Sequence, residues 1–322
     1  MATGSSTVAK SVSRQLRHFV GTKGVWHAFE RTAEVLWRFR DGRRKFEERL
    51  QDFERVFRSH GLRVTFCVTT SLLQRHADLV ARLEQMGHEI AAHGHVHTRM
   101  DQYSSETQLK QIERSWKELQ RAGFSPTGFR CPYLNFNDDT IRSLQASRFS
   151  WTSGVMVFWQ DGRVLREGTR KLDGLYHFVA DGEHSSLPSF DGRIVHIPIT
   201  CPDDELLFER ERYREPEEIG EIWVKLFERH HEQGGLHHQF FHPERFGLIE
   251  PAVEAILDRV DSFKDEVWKP TLGELAEWWR NHAPSKTRAP VQWPDGARSC
   301  FVLSADVCAI DLWDFVDRAR HF

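Results

Sequence analysis

The chain has 322 residues, enough for one large barrel or two average domains, and its 39% hydrophobic and 28% charged residues are ample for a soluble core. A net charge of −3 supplies no global field for nucleic acid or an acidic membrane, so no nucleic-acid partner is expected. The cysteines, Cys67, Cys131, Cys201, Cys300 and Cys308, are odd in number, widely spread and free of any CxxC pair. That argues against a disulfide framework and for a reducing compartment, with the cytoplasm as the expected location.

Met1–Thr7 has no apolar core like that of a signal peptide, and no apolar run approaches a membrane span. The stretch Arg14 to Arg40 mixes Leu16, Phe19, Trp26, Phe29, Leu36 and Trp37 with many Arg and Lys residues. It reads as an amphipathic helix packed on the body, within a helical extension over residues 1–43. Peripheral membrane contact through this helix is the second reading.

Residues 44–59 carry Phe46, Leu50, Phe53 and Phe57 at helical spacing, closed by Gly61. Val64–Thr70 reads as a buried strand, 76–86 as a helix closed by Gly87, and Glu89–Ala92 as a short strand. Ser105 with Gln108 resembles a capping box for a helix to about Gln120. Gly128–Pro132 is strand-like, and Asn137 or Asp138 caps a helix to Ala146. Strands are expected over Phe149–Phe158 and Arg193–Ile199, a helix over 217–232, a strand over His237–Phe241 and a helix over 249–260. Val267-Trp268 leads into a helix over Thr271–Trp279, and a polar linker covers 283–298. Cys300–Ser304 is a last strand and Leu312–Arg320 a last helix. Strands alternating with helices imply a parallel sheet, here an α/β fold of the β/α-barrel kind with about seven strands.

The segment after Glu89–Ala92 holds His93, His95 and His97. Imidazole is a common ligand for zinc and related divalent metals. Two histidines four apart face one ion if the backbone turns after the strand; in an extended segment all three share a face. The bland alternative is a histidine-rich surface loop, in a chain with 18 histidines. Other polar groups also follow strands: Arg130, Asp203 and Asp204, His242, and Asp306. In a β/α barrel the C-terminal strand ends open onto one face, so these groups should converge.

Those residues resemble the polysaccharide deacetylases with the NodB homology domain (carbohydrate esterase family 4). Gly87–Ile90 with His93–His97 resembles the family's metal-binding H-x-x-x-H motif. Gly128-Phe-Arg130-Cys-Pro132-Tyr133 resembles R-x-P-Y, Phe241-His242-Pro243 the strand-borne L-H motif, and Trp268–Trp279 the closing strand and helix. The resemblance covers roughly residues 44–280. The family's opening T-F-D-D or D-x-D strand is missing from its usual place. Phe39-Arg40-Asp41-Gly42 is set aside as helical, and Phe301–Cys308 matches better. The implied arrangement is a circular permutation, with the first family strand moved to the C-terminus, in one barrel domain over 44–322. A truncated second copy of the domain is the alternative.

The resemblance implies a divalent metal, zinc first, with cobalt, manganese or iron as alternatives. Its ligands would be His93, His97 and, where the family has a carboxylate, Cys308; His95 is an alternative ligand, and Cys308 as a small packed hydrophobe is the bland reading. Asp306 would be the general base, Arg130 its orienting partner, and His242 the acid at the leaving amine. Asp203, Asp204, Tyr133 and Trp151 are candidate substrate contacts, with Phe158 and Trp159 as further aromatics near the site. The implied activity is N-deacetylation of an intracellular sugar derivative: nucleotide-linked, lipid-linked or a small glycoside. An allantoinase-like amidohydrolase and a pseudoenzyme binding carbohydrate or protein are the competing readings. A homo-oligomer is left open.

Overall fold

A computed structural model of the chain describes residues 39–158, 178–180, 186–282 and 291–320. Most of the expected N-terminal extension, part of the 283–298 linker, and Trp159 lie outside the described residues, as does the side chain of Phe158. The strands are β1 (Thr65–Val68), β2 (Glu89–Ala92), β3 (Gly128–Arg130), β4 (Trp151–Phe158), β5 (Phe178–Ala180), β6 (Ser189–Phe190), β7 (Val195–Cys201), β8 (Leu236–Phe241), β9 (Val267–Trp268) and β10 (Ser299–Val307). The helices are α1 (Gly42–Ser59), α2 (Leu73–Gln85), α3 (Ser105–Arg121), α4 (Asp138–Ala146), α5 (Pro216–Glu232), α6 (Phe246–Ser262), α7 (Leu272–His282) and α8 (Leu312–Arg320).

Every strand belongs to one curled sheet, ordered β6-β7-β4-β3-β2-β1-β10-β8, with β5 added to β4 and β9 to β10. All pairs are parallel except the β6–β7 hairpin, which makes the sheet mixed. Seven staves form the barrel wall: β7, β4, β3, β2, β1, β10 and β8. The ladder is open between β7 and β8, and side chains span that gap. The His238 backbone N–H donates to Thr200 Oγ1 at 3.1 Å, and His238 Nδ1–H donates to the Pro198 carbonyl at 2.8 Å.

The C-terminal strand β10 lies between β1 and β8, pairing Cys67 with Asp306 on one side and Ser304 with Phe240 on the other. Its nine residues are all buried, as a β-branched and aromatic run between two neighbours should be. Alternation sorts its side chains. Phe301, Leu303, Ala305 and Val307 join the core under the helices, whereas Cys300 and Val302 join a second cluster inside the barrel.

That inner cluster closes the N-terminal end of the barrel. Leu272, Leu275, Ala276 and Trp279 of α7 pack there against Trp151, Ile197 and Leu236. The first turn of α7 is tied to the sheet, with Leu272 N–H donating to Thr65 Oγ1 at 2.9 Å and Gly273 N–H to Glu89 Oε2 at 2.9 Å. With this end plugged, the open face is the C-terminal one.

Local chemistry sets the element ends. The cap of α3 is Ser104, which accepts from Thr107 N–H, rather than the Ser105/Gln108 box the spacing suggests. Asn137 caps α4 in a reciprocal capping box with Thr140. Gly61 at φ 56° turns the chain from α1 into β1, a conformation that favours glycine. No helix among the described residues is long and apolar enough to cross a membrane.

Candidate active site

Four parallel strands deliver the polar groups to one place. Arg130 ends β3, Asp306 is the penultimate residue of β10, His93 follows β2 directly, and His242 follows β8. Period-two alternation carries Cys300, Val302, Ser304 and Asp306 up one face of β10, from the inner core to the site. The same alternation carries Leu236, His238, Phe240 and His242 up β8.

Arg130 is fully buried, and every arm of its guanidinium is used. Nη1 donates to Asp306 Oδ1 at 2.6 Å, Nε to Ser153 Oγ at 2.8 Å, and Nη2 to Ser304 Oγ at 2.8 Å and His238 Nε2 at 3.2 Å. Phe240 lies 5.3 Å from the guanidinium carbon. Burial pushes the Asp306 carboxyl up, but the charge of Arg130, with that of protonated His242 beyond it, outweighs burial and holds the group below its usual range. Asp306 is therefore ionised at neutral pH, with Oδ2 lying 3.6 Å from His93 Nε2.

His93 donates Nδ1–H to the carbonyl of Arg130 at 3.1 Å. Burial pulls its pKa down to about 4, so the ring is neutral with its lone pair on Nε2. That Nε2 is buried and has no hydrogen-bond partner among the described residues. The chain then bends at Gly94, φ 74°, and brings the His97 ring within 5.0 Å of the His93 ring. Ligand atoms of His93, His97 and Cys308 lie within 4.8 Å of one another. An orphaned imidazole nitrogen facing a second imidazole and a thiol is a donor set that fits a zinc-type ion.

His242 forms a second charged unit. Its Nδ1 lies 2.9 Å from Asp204 Oδ1, and its backbone N–H donates to Asp204 Oδ2 at 3.2 Å. Burial opposes the charged ring, but Asp204 overrides it and raises the pKa to about 10, so His242 is protonated. Burial and the neighbouring charge of Asp204 also push the Asp203 carboxyl up, to about 7. Arg245, also buried, ion-pairs with Asp204 at 3.5 Å and with Glu209.

Tyr133 is 42% exposed at the mouth, its ring 4.4 Å from that of His97. Both Tyr133 (φ 59°) and Leu134 (φ 51°) adopt the left-handed conformation, which is uncommon outside glycine and concentrates at functional sites. Two expected members lie elsewhere. Trp151 opens β4 at the plugged end, fully buried, with Nε1–H donating to Thr127 Oγ1 at 3.1 Å. It is a core residue and not a substrate contact, because its indole covers Gly128. A Cβ there would stand 1.8 Å from Trp151 Cε2. His95 turns away from His93 and His97, with Nδ1 3.0 Å from Thr70 Oγ1.

Several members were not picked out from the sequence. Ser304 and His238 sit two and four residues before Asp306 and His242, so strand alternation alone would have placed them on the same face. Ser153, Arg245 and Arg318 carry no such signal; Arg318, on α8, donates from Nη2 to His97 Nδ1.

Fold and site define a curled α/β barrel of the NodB deacetylase type. Residues 31–149 match the sequence model of the family described as polysaccharide deacetylase. Among solved structures, a "putative polysaccharide deacetylase" from Mycobacterium smegmatis is similar at 21% identity and TM-score 0.57, over 76% of this chain and 81% of that one. A "probable polysaccharide deacetylase" from Pseudomonas aeruginosa PAO1 is similar at 18% identity and TM-score 0.59, over 76% of each chain. The Puue allantoinase is similar at 16% identity and TM-score 0.60, over 76% of this chain and 75% of that one. No curated protein matches the chain.

Proposed function

We propose that the protein is a metal-dependent hydrolase of an acyl carbon–nitrogen bond, and that it removes an acetyl group from the amine of a sugar derivative. One observation carries this reading: Asp306, ionised by Arg130, faces the unpartnered Nε2 of His93 where the donors of His97 and Cys308 also converge. His93, His97 and Cys308 would hold the metal, zinc first by the softness of the thiolate, with cobalt, manganese or iron as alternatives. When bound, the metal lowers the pKa of water and polarises the acyl oxygen.

The chain's own residues supply the proton chemistry. Asp306 accepts the proton of the attacking water, and Arg130 keeps the carboxylate charged and aimed. Protonated His242, held by Asp204, donates to the leaving nitrogen. Asp203 supports that unit from beside it. The Tyr133 backbone N–H is the candidate donor to the developing oxyanion, and its exposed ring is the candidate platform for a sugar.

The substrate reading is an intracellular nucleotide-linked, lipid-linked or small N-acetyl glycoside in the cytoplasm. It is supported by the absence of any disulfide among the cysteines, all of which are described and free. We also read the seat of β10 between β1 and β8 as a circular permutation within one domain over 44–322, joined through 283–298. The Puue allantoinase likeness keeps an amidohydrolase on a non-sugar amide as the second reading. Cys308 in place of a carboxylate keeps a binding-only pseudoenzyme as the third.

The test is hydrolysis by chelator-stripped protein reconstituted with zinc, cobalt or manganese, read as acetate release from the N-acetyl sugars and as ring opening for allantoin. The substrates are a nucleotide-linked N-acetylhexosamine, short N-acetylglucosamine oligomers and allantoin. Metal-dependent release from a sugar supports the leading reading, and turnover of allantoin alone supports the second. No turnover with any metal would sink both enzyme readings.

A further inference from the structure

The C-terminal helix α8 folds back over the site, and four contacts dock it. Arg75 of α2 ion-pairs with Asp314 and with Asp317, the latter at 2.5 Å, and His76 Nε2 lies 3.1 Å from Asp311 Oδ2. Phe315 packs on Phe39 with ring centroids 4.6 Å apart. This docking carries the Arg318 guanidinium over the rings of Tyr133, at 5.6 Å, and Phe315, at 5.5 Å, and onto His97 Nδ1.

The bond to His97 has a chemical consequence. A guanidinium has only donors, so the lone pair it meets must be on Nδ1. A neutral imidazole with its lone pair on Nδ1 carries its proton on Nε2, so Nε2 cannot ligate. If Nδ1 were the ligand atom instead, Arg318 would occupy the position of the ion. Either way His97 serves Arg318 or a metal, never both. Arg318 also places a positive charge beside a site built for a cation.

We propose that Arg318 is a metal-loading determinant: an intrinsic cation on α8 that competes with the divalent ion for His97. This rests on the metal reading of His93, His97 and Cys308. Metal binding at His97 must break the Arg318 contact and swing the guanidinium toward the mouth, while α8 stays docked through Arg75 and His76. The apparent metal affinity of the protein is lowered by the stability of that contact. The device distinguishes this site from one in which the same donors stand open.

The experiment is a Co²⁺ titration of the full chain after chelator stripping, followed by the visible d–d bands and the thiolate charge-transfer absorption. Wild type is compared with Arg318→Gln and Arg318→Lys, and near-UV circular dichroism verifies folding. Loss of one charge-assisted hydrogen bond predicts roughly tenfold or tighter Co²⁺ binding in Arg318→Gln. Arg318→Lys, which keeps the charge but loses the planar fork, should fall between the two. Equal affinity in all three would overturn the competition and leave the metal centre standing. Weaker binding in Arg318→Gln would make Arg318 a supporter of the site and overturn the proposal. No Co²⁺ binding in any of the three would overturn the metal reading and the competition together.

Discussion

Asp306 and Arg130 meet through a 2.6 Å hydrogen bond in a pocket closed to solvent, across a sequence separation of 176 residues. The pair joins β10 to β3, which are not neighbours in the sheet, so it spans the barrel interior. Each partner makes the burial of the other tolerable. Breaking a buried ion pair from one side costs about 3–5 kcal/mol, because the remaining charge stays buried. Arg130→Met should therefore lower stability by about that much, measured by urea unfolding. Asp306→Asn retains shape and some hydrogen bonding, so it should cost less stability while lowering kcat at least about 100-fold on any substrate the protein turns over. Unchanged turnover in folded Asp306→Asn would remove Asp306 as the base.

Cys308 stands where a carboxylate would favour harder ions. Cys308→Asp should move the metal preference from zinc toward manganese or iron, because oxygen donors suit harder cations. Cys308→Ala should weaken binding of every metal. Metal content after dialysis against mixed zinc and manganese reads both effects; the same metal ratio in wild type and Cys308→Asp would show that residue 308 is not a ligand.

The Asp204–His242 pair makes a signed pH prediction. The folded-state pKa of His242 is raised to about 10 against an ordinary value of 6.5. Its contribution is then fully present below about 6.5 and is lost as pH rises toward 10. Stability should fall across that window, and Asp204→Asn should flatten the fall. Chemical denaturation at pH 7 and pH 9.5 measures both slopes.

How much of this was legible in the sequence depends on what fixes each residue. Strand-end positions such as His93, Arg130, His242 and Asp306 were readable because a parallel α/β topology sends every C-terminal strand end to one face. The position of Trp151 was not. It belongs to the same strand as Ser153, but a tryptophan at a strand's start and one at its end look alike until the register is known. Arg318 was invisible for another reason. It acts from a helix whose docking depends on Arg75 and His76, more than 200 residues away, and no local spacing reports such a pairing. His95 shared its motif with two apparent ligands and was diverted by one hydroxyl, that of Thr70.

The misread tryptophan yields its own prediction. A Cβ at Gly128 would collide with the Trp151 indole, at 1.8 Å from Cε2. Gly128→Ala should cost at least about 1–3 kcal/mol, the range for forcing volume into a packed core. Trp151→Phe opens space, so the double variant Gly128→Ala/Trp151→Phe should recover part of the loss. Thermal melts of the four proteins give the coupling. Trp151→Phe alone should lower the melting temperature with KM unchanged, whereas a raised KM at unchanged stability would return Trp151 to the substrate.

Acid should unfold the metal-free protein unusually early, and the histidines say where. Burial holds His88 and His93 near a pKa of about 4 and His237 near about 3. All three are neutral in the folded state but take up protons near 6.5 once unfolded. The unfolded state therefore binds more protons as pH drops below about 6.5, and stability falls through that window. Each group contributes up to about 1.4 kcal/mol per pH unit, so these three alone approach about 4 kcal/mol per unit, and His97, His230 and His238, also pulled down by burial, steepen the slope further. Two units of acidification would then consume about 8 kcal/mol, comparable to the whole stability of an ordinary domain at about 5–15 kcal/mol. His242, protonated in both states below 6.5, adds nothing in this range. The loss of stability, followed by circular dichroism, should therefore set in as pH falls below about 6.5. His237 stacks on Phe301 at 5.6 Å, so His237→Phe preserves an aromatic contact while removing one proton site. It should make the acid transition shallower, and an unaltered slope would show that His237 is not among the groups driving it.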